Sequence, residues 1–364
     1  MAKGILFPGY GSQFVGMGKD LYDFQRLMQE HFEEAAICLN TNFVKLCFAS
    51  SDAELSRITN AFPSLFLVGA SCADLLKQKG VTFEAVAAVD IVSFYGASFA
   101  AGSVNLPDGL YILNKISSLY VELLDQGSIT SLLIGKVPQR KLIQWCKDIS
   151  TEEHQVKLAQ IRPEGMVVTG HTLAVRALEK EIRQQEKFSC IDYDSGAGLY
   201  VPLFEPQVAI MNSYLEKIDF KDPQVPVLNP LTGKWMTLGK ELRALAGKIM
   251  SAPLRIDKVL TECAKWENAL LSVPAVKLKA YLQEHLPTLS VTTIETTAEL
   301  DLLAPPVPVA PQVPVVPPVT EVTAEVPVTE TTTEVTATET SESKTESQET
   351  EPSESSTNSK KTEE

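Results

Sequence analysis

The sequence has few of the residues that build metal sites, disulfide frameworks and nucleic-acid interfaces. Its 364 residues include four histidines, which lie far apart, and six cysteines, which stand singly without a CxxC pair. These spacings exclude a local metal motif and favour reduced, packed cysteines in a cytoplasmic protein. Lysine and arginine number 32 against 46 acidic residues, so a nucleic-acid site based on phosphate neutralisation is not expected.

Long apolar runs are also lacking. No stretch approaches the roughly 18 uninterrupted apolar residues of a membrane span, so no span is predicted. The opening residues, MAKGILFPG, have no apolar signal-peptide core and reach a turn early. A secretory leader is therefore not expected, and the predicted location is the cytoplasm.

Aromatic residues are absent from the last 61 residues, and this absence divides the chain in two. Residues 304–364 contain nine of the 22 prolines, 12 acidic residues and three lysines, but no Phe, Tyr, Trp or Cys. The first 303 residues hold all 26 aromatics and carry 34 acidic against 29 basic residues, so most of the net charge of −14 belongs to the tail. Only the body can bury a sizeable core.

The tail has two compositional parts. PxxP spacing recurs between residues 305 and 317, which predicts an extended polyproline helix. From residue 321 onward Thr, Ser and Glu dominate, a composition that stays solvated. We predict a disordered tail over residues 291–364. It is interpreted either as a solubilising extension or as a tether that docks on a PxxP-binding partner.

Strand-like and helix-like segments alternate along the body. Residues 4–13 are a short apolar run that ends in a Pro/Gly turn, and residues 106–124 carry apolar side chains three or four apart. This alternation predicts an α/β domain. Residues 128–196 show a β-α-β-α-β order of their own, which suits a ferredoxin-like insert between two parts of the core, 1–127 and 197–290.

Six segments resemble, in order, motifs of the malonyl-CoA:acyl-carrier-protein transacylases. Residues 6–18 read LFPGYGSQFVGMG, close to that family's opening F-P-G-Q-G-S-Q-x-x-G-M-G. The other five are FPSLFLVG at 62–69, AAGSVNLPDGL at 100–110, GMVVTGH at 165–171, LNPLTG at 228–233 and SAPLR at 251–255. One such motif alone is weak, but six in order identify the family.

The resemblance implies an α/β-hydrolase-like core with an inserted ferredoxin-like subdomain, and a transfer reaction. Members of this family move a malonyl group from coenzyme A to a serine, and then to the phosphopantetheine thiol of acyl carrier protein. The serine stands on a G-H-S-x-G strand-to-helix elbow, a histidine takes its proton, and an arginine holds the malonyl carboxylate. No cofactor is implied, because the coenzyme A thioester is a substrate.

The side chains that this reaction needs are missing at the matching positions. Ile91 stands at the nucleophile position, Tyr200 at that of the histidine and Ile116 at that of the arginine. The two elbow glycines are replaced by Val89 and Ser93. An isoleucine has no nucleophilic atom, and a β-branched residue fits a strained turn poorly.

Three further positions act in this family through the main chain, so their substitution proves little. They are Tyr10 and Val92, which match oxyanion-hole positions, and Ile249, whose position offers a carbonyl to the histidine. Ser93, two places beyond the nucleophile position, is a weak rescue candidate. Cys72 lacks an obvious base and is better explained as a packing residue.

Ile91, Ile116 and Ile249 place apolar groups where polar ones would converge on one pocket. The favoured interpretation is a collapsed pocket left after catalysis was lost, and the other is a reshaped apolar pocket for an uncharged acyl ligand. We predict a pseudoenzyme with the transacylase fold that binds acyl carrier protein or another protein. The alternatives are a divergent but active acyl or malonyl transferase, and a scaffold module tethered by its tail.

Overall fold

The computed structural model describes residues 3–124, 128–135, 137–185, 187–193 and 202–305. Its strands are β1 (Lys3–Phe7), β2 (Ala85–Ala88), β3 (Ile129–Gly135), β4 (Val156–Arg162), β5 (Gly165–His171), β6 (Ser189–Asp192), β7 (Val227–Leu228), β8 (Trp235–Met236), β9 (Leu254–Arg255), β10 (Asn268–Ser272) and β11 (Ser290–Ile294). These strands form two sheets.

The helices alternate with the strands over most of the chain. They are α1 (Lys19–Phe24), α2 (Arg26–Leu39), α3 (Phe43–Phe48), α4 (Asp52–Leu55), α5 (Ile58–Gln78), α6 (Ile91–Ala100), α7 (Leu106–Leu124), α8 (Gln139–Ile149), α9 (Thr172–Arg183), α10 (Val208–Leu215), α11 (Gly239–Ala246), α12 (Ile256–Cys263), α13 (Val276–His285) and α14 (Thr297–Leu303). A short 3-10 helix, Pro202–Gln207, precedes α10.

The larger sheet has six strands in the order β11-β10-β1-β2-β7-β8. All neighbours pair in parallel except β7 and β8. Strand β1 is central, with Ile5 opposite Val86 on one side and Leu270 on the other. All three side chains are fully buried, as expected for a parallel sheet covered on both faces. The predicted α/β core is therefore confirmed.

Helix α5 packs at the centre of this core. It is the one helix of the described residues that is long and apolar enough to cross a membrane by length and composition. In this structure 83% of its most apolar stretch is buried inside the protein, mainly against α6, α7 and α2. Burial of this kind is what a central core helix shows.

The smaller sheet confirms the ferredoxin-like insert. Strands β3 to β6 alternate with α8 and α9 in a β-α-β-β-α-β order, and the sheet order is β6-β3-β5-β4-β9. The predicted order contained only three strands and missed β4. Its sequence, VKLAQIR, contains polar residues, and its register shifts between Leu158 and Gln160, so no clean alternation marks it. Strand β9 joins this sheet from the core.

The folded core extends past residue 290, where the tail was predicted to begin. Strand β11 pairs in parallel with β10 along its whole length. Helix α14 begins with a capping box of Thr296 and Glu299, and Asp301 forms an ion pair with Lys79 at 2.7 Å. The predicted start of the tail at 291 is thus wrong. Residues 306–364, including most of the PxxP segment, lie outside the described residues.

Candidate active site

A cleft of about 560 Å³ lies where the insert meets the carboxyl ends of the central strands. Its walls come from the loop after β1, the β2–α6 junction, β4 and α13. They are Gly9, Tyr10, Gly11, Ser12, Gln13, Ser56, Val89, Asp90, Gln160, Arg162, Tyr193, Ile256, Lys277, Leu278 and Tyr281. Open α/β sheets bind their ligands at this end of the strands, so the cleft is the candidate site.

The predicted nucleophile position, Ile91, lies at the start of α6. Strand β2 ends at Ala88, and Ile91 opens the helix three residues later. Asn40 is the one non-glycine residue of the described part with positive φ, so Ile91 has an ordinary backbone conformation. Its side chain is 0% exposed. The junction is a regular helix start without the strained turn that presents an elbow nucleophile.

Asp90 caps this helix start and is buried in the wall of the cleft. One carboxylate oxygen accepts the Tyr10 N–H at 2.6 Å, and the other accepts the Ser93 N–H at 2.8 Å. The carboxylate thus joins the loop after β1 to the first turn of α6. Such charge-assisted hydrogen bonds offset the loss of water around a buried carboxylate.

Ser93, the rescue candidate, is the other half of this capping box. Its hydroxyl oxygen accepts the N–H groups of Val89 at 3.0 Å and Asp90 at 2.8 Å, and lies 2.7 Å from the Asp90 carboxylate. The residue is 1% exposed. The hydroxyl is therefore committed to the helix start rather than presented to the cleft.

The three isoleucines are all buried in the protein interior. Ile91, Ile116 on α7 and Ile249 after α11 are each fully buried and belong to the same hydrophobic core. Val92, on α6, is buried there too. Their packing favours the collapsed-pocket interpretation. Tyr200, at the predicted histidine position, lies in the segment 194–201, outside the described residues.

A series of aromatic contacts runs through the same core. Tyr10 and Phe62 have ring centroids 5.6 Å apart, Phe62 and Tyr120 are 5.7 Å apart, and Tyr120 and Phe204 are 4.1 Å apart. Tyr120 lies one helical turn after Ile116 and is fully buried. Burial, together with the nearby charge of Asp90, raises the pKa of its phenol well above the ordinary value. The Tyr120 phenol is therefore neutral.

The opposite wall of the cleft carries an arginine in an aromatic cradle. The Arg162 guanidinium lies 5.4 Å from the Tyr193 ring centre and 4.6 Å from that of Tyr281. It donates to Glu164 at 2.5 Å and to Gln160 at 2.9 Å. Because Tyr281 belongs to α13 and Arg162 to β4, this cluster ties the insert to the core.

The remaining candidate nucleophiles and bases lie elsewhere. No histidine lines the cleft within the described ranges, and His171 accepts the Gln155 N–H as part of the local structure of the insert. All six cysteines are free thiols. Burial raises the pKa of Cys72 to about 12, which opposes a thiolate there. The described residues contain no cluster of His, Cys, Asp or Glu fit to hold a metal.

Asp90 and Arg162 are two of the cleft residues to which the sequence reasoning assigned no role. A signal existed for Asp90, because Asp is a preferred N-cap residue immediately before an apolar run. No such signal existed for Arg162. It lies on β4, the strand that the apolar pattern did not reveal.

The chain is similar in sequence to known proteins. The acyl transferase domain family matches residues 5–277. The malonyl CoA-acyl carrier protein transacylase of Synechocystis sp. is 29% identical over 282 residues, which cover 77% of this chain and 88% of that protein. The Bacillus subtilis protein of the same name is 26% identical over 259 residues, covering 71% and 81%.

Solved structures agree in fold. An acyl carrier protein S-malonyltransferase from Vibrio cholerae superposes with a TM-score of 0.75 at 19% identity, covering 83% of this chain and 100% of its own. A malonyl-transacylase in complex with a type II polyketide synthase acyl-carrier protein gives 0.75 at 20% identity, covering 84% and 99%. The chain therefore belongs to the acyl transferase domain family, the family of the malonyl-CoA:acyl-carrier-protein transacylases that it resembles.

Proposed function

We propose that this chain is a non-catalytic acyltransferase-fold protein that acts by binding, with acyl carrier protein as its first candidate partner. The choice of partner rests on the relatives, which are named as acyl carrier protein transacylases, and on a structure of one such protein with its carrier protein. A cytoplasmic location is part of the proposal.

One observation is the main support for the proposed loss of catalysis. Ile91 begins α6 as a fully buried core residue with an ordinary backbone conformation. Removal of a triad nucleophile alone costs on the order of a million-fold in rate. The hydroxyl two residues further on, that of Ser93, is engaged in helix capping. Ser93 therefore offers no replacement nucleophile.

Intact-mass spectrometry and a transfer assay test this proposal. After incubation with malonyl-CoA or acetyl-CoA, we expect no acyl adduct on the protein and no transfer to holo-acyl carrier protein above the protein-free background. In a parallel titration, fluorescence anisotropy of labelled holo-acyl carrier protein should show saturable binding. The absence of such binding would remove the carrier protein as partner.

The opposite results support the two alternatives. An acyl adduct that Ser93→Ala abolishes and Ser98→Ala preserves would identify a divergent active transferase. Ser98 is a matched control because it is buried on the same helix, and its hydroxyl donates to the Phe94 carbonyl. Binding that is lost when residues 306–364 are deleted would favour a scaffold tethered by its tail, for which a PxxP-binding protein is the proposed partner.

A further inference from the structure

The Asp90 carboxylate is held by donors from two separate segments of the chain. The Tyr10 N–H reaches one oxygen at 2.6 Å from the loop after β1, 80 residues away in sequence. The Ser93 N–H and hydroxyl reach the other oxygen at 2.8 and 2.7 Å from the first turn of α6. The convergence of a loop N–H and a helix N-terminus on one carboxylate forms a complete anion-binding arrangement.

The approach of the loop to this carboxylate is close. A Cβ atom added at Gly9 would lie 2.1 Å from Asp90 Oδ2, so only a residue without a side chain fits there. Asp90 is 6% exposed, yet it belongs to the lining of the cleft. The carboxylate therefore fills the space between the loop and α6 at the wall of the cleft.

Donors of this kind can serve a capping side chain or an external negative group. Backbone N–H groups at a helix start bind carboxylates and phosphates, and they stabilise a developing oxyanion in acyl transfer. In this protein the negative group is part of the chain. A second negative group brought to the same donors would meet the charge of Asp90 at close range, and like charges in contact strongly disfavour binding.

We infer that Asp90 is a built-in occupant of this anion site, and that its carboxylate closes the Tyr10 N–H and the start of α6 to carboxylates, phosphates and acyl oxygens. This inference rests on the proposed function and extends it, because it names the group that blocks the site. It also implies that restoring a nucleophile at position 91 leaves the donors occupied.

Asp90→Ser opens the site while keeping a helix cap. Serine is a good N-cap residue, so its hydroxyl can still accept the Ser93 N–H, but its shorter side chain withdraws from Tyr10. The probes are acetate and inorganic phosphate, titrated at constant ionic strength into the full chain and followed by the backbone amide resonances of Tyr10 and Ser93. Asp52→Ser is the matched control, because the Asp52 carboxylate accepts the Val15 N–H at 2.9 Å at an exposed position.

We expect saturable shifts of both amide resonances in Asp90→Ser, with affinity at least about tenfold above that of wild type and of Asp52→Ser. Equal affinity in all three proteins, or no binding in folded Asp90→Ser, would overturn the inference. If that variant does not fold, Asp90→Asn decides, because asparagine is also a good N-cap residue but carries no charge. It should bind both anions more tightly than wild type, and equal affinity would overturn the inference.

The two proposals fail in different ways. Acyl transfer by wild-type protein refutes the proposed function, whatever anions bind at Asp90. Anion binding by wild type as tight as by Asp90→Ser refutes the built-in occupant and leaves a non-catalytic binding function intact.

Discussion

Replacement of Ser93 by alanine separates a structural role of this hydroxyl from a catalytic one. The hydroxyl oxygen accepts the N–H groups of Val89 and Asp90 and lies 2.7 Å from the Asp90 carboxylate. Because Ser93 is 1% exposed, water cannot readily replace these contacts in the alanine variant. The structural role therefore predicts a large loss of folding stability.

The size of this loss follows from the number of donors left behind. A buried donor without its partner costs about 1–3 kcal/mol, so two N–H groups predict a loss of about 2–6 kcal/mol. This is a large share of the roughly 5–15 kcal/mol that stabilises an ordinary domain. Ser98→Ala removes only the hydrogen bond that the Ser98 hydroxyl donates to the Phe94 carbonyl. The donor itself is removed with that bond, so the expected cost is below about 1 kcal/mol.

Urea denaturation followed by tryptophan fluorescence measures the difference. Ser93→Ala should unfold at clearly lower urea than Ser98→Ala, with an unchanged dependence of the unfolding free energy on denaturant. Equal stability of the two variants would refute the capping role of Ser93. Wild-type stability combined with loss of an acyl-transfer activity would identify its hydroxyl as a nucleophile.

Local signals in the sequence predicted most of the fold. The Pro/Gly turn after β1 and the apolar spacing of α7 depend on neighbouring residues, so they can be recognised without knowledge of the rest of the chain. Strand β4 was missed because its register shift interrupts the alternation. Strand β11, SVTTI, was assigned to the tail because only its last residue is fully buried, and its pairing with β10 depends on distant residues.

The assignment of Ile91 and Ile116 to catalytic positions of the family stays a prediction, made from the flanking motifs that fix their places in the sequence. The contacts of the cleft were harder to predict. The role of Asp90 depends on a contact with Tyr10, 80 residues away, which no local pattern reveals. The cradle of Arg162 likewise brings together β4 and α13, so only the folded chain shows it.

Three further predictions concern the packing and chemistry of the core. Burial lowers the pKa of His31 below the ordinary value of 6.5, although nearby carboxylates act in the opposite direction. The contribution of His31 to folding stability is therefore complete above pH 6.5 and is lost as the pH falls through the folded pKa. His31→Gln should flatten this part of the curve of melting temperature against pH. Gly109→Ala would place a Cβ 2.1 Å from the Phe66 ring and should cost about 1–3 kcal/mol in urea denaturation despite the better helix propensity of alanine. Gly69→Ala, where the nearest atom is 3.3 Å away, is the control and should be much milder. Finally, Ile91→Ser should show no more malonyl transfer than Ile91→Ala. Both variants lose the same core packing, and the new hydroxyl stands on an ordinary helical backbone next to a cleft whose described lining contains no histidine. The comparison with Ile91→Ala removes the effect of the cavity, about 2–5 kcal/mol of stability, from the result. A gain of about a hundredfold in transfer for Ile91→Ser over Ile91→Ala would equal the contribution of a working general base, and it would mean that the catalytic geometry survives around this position.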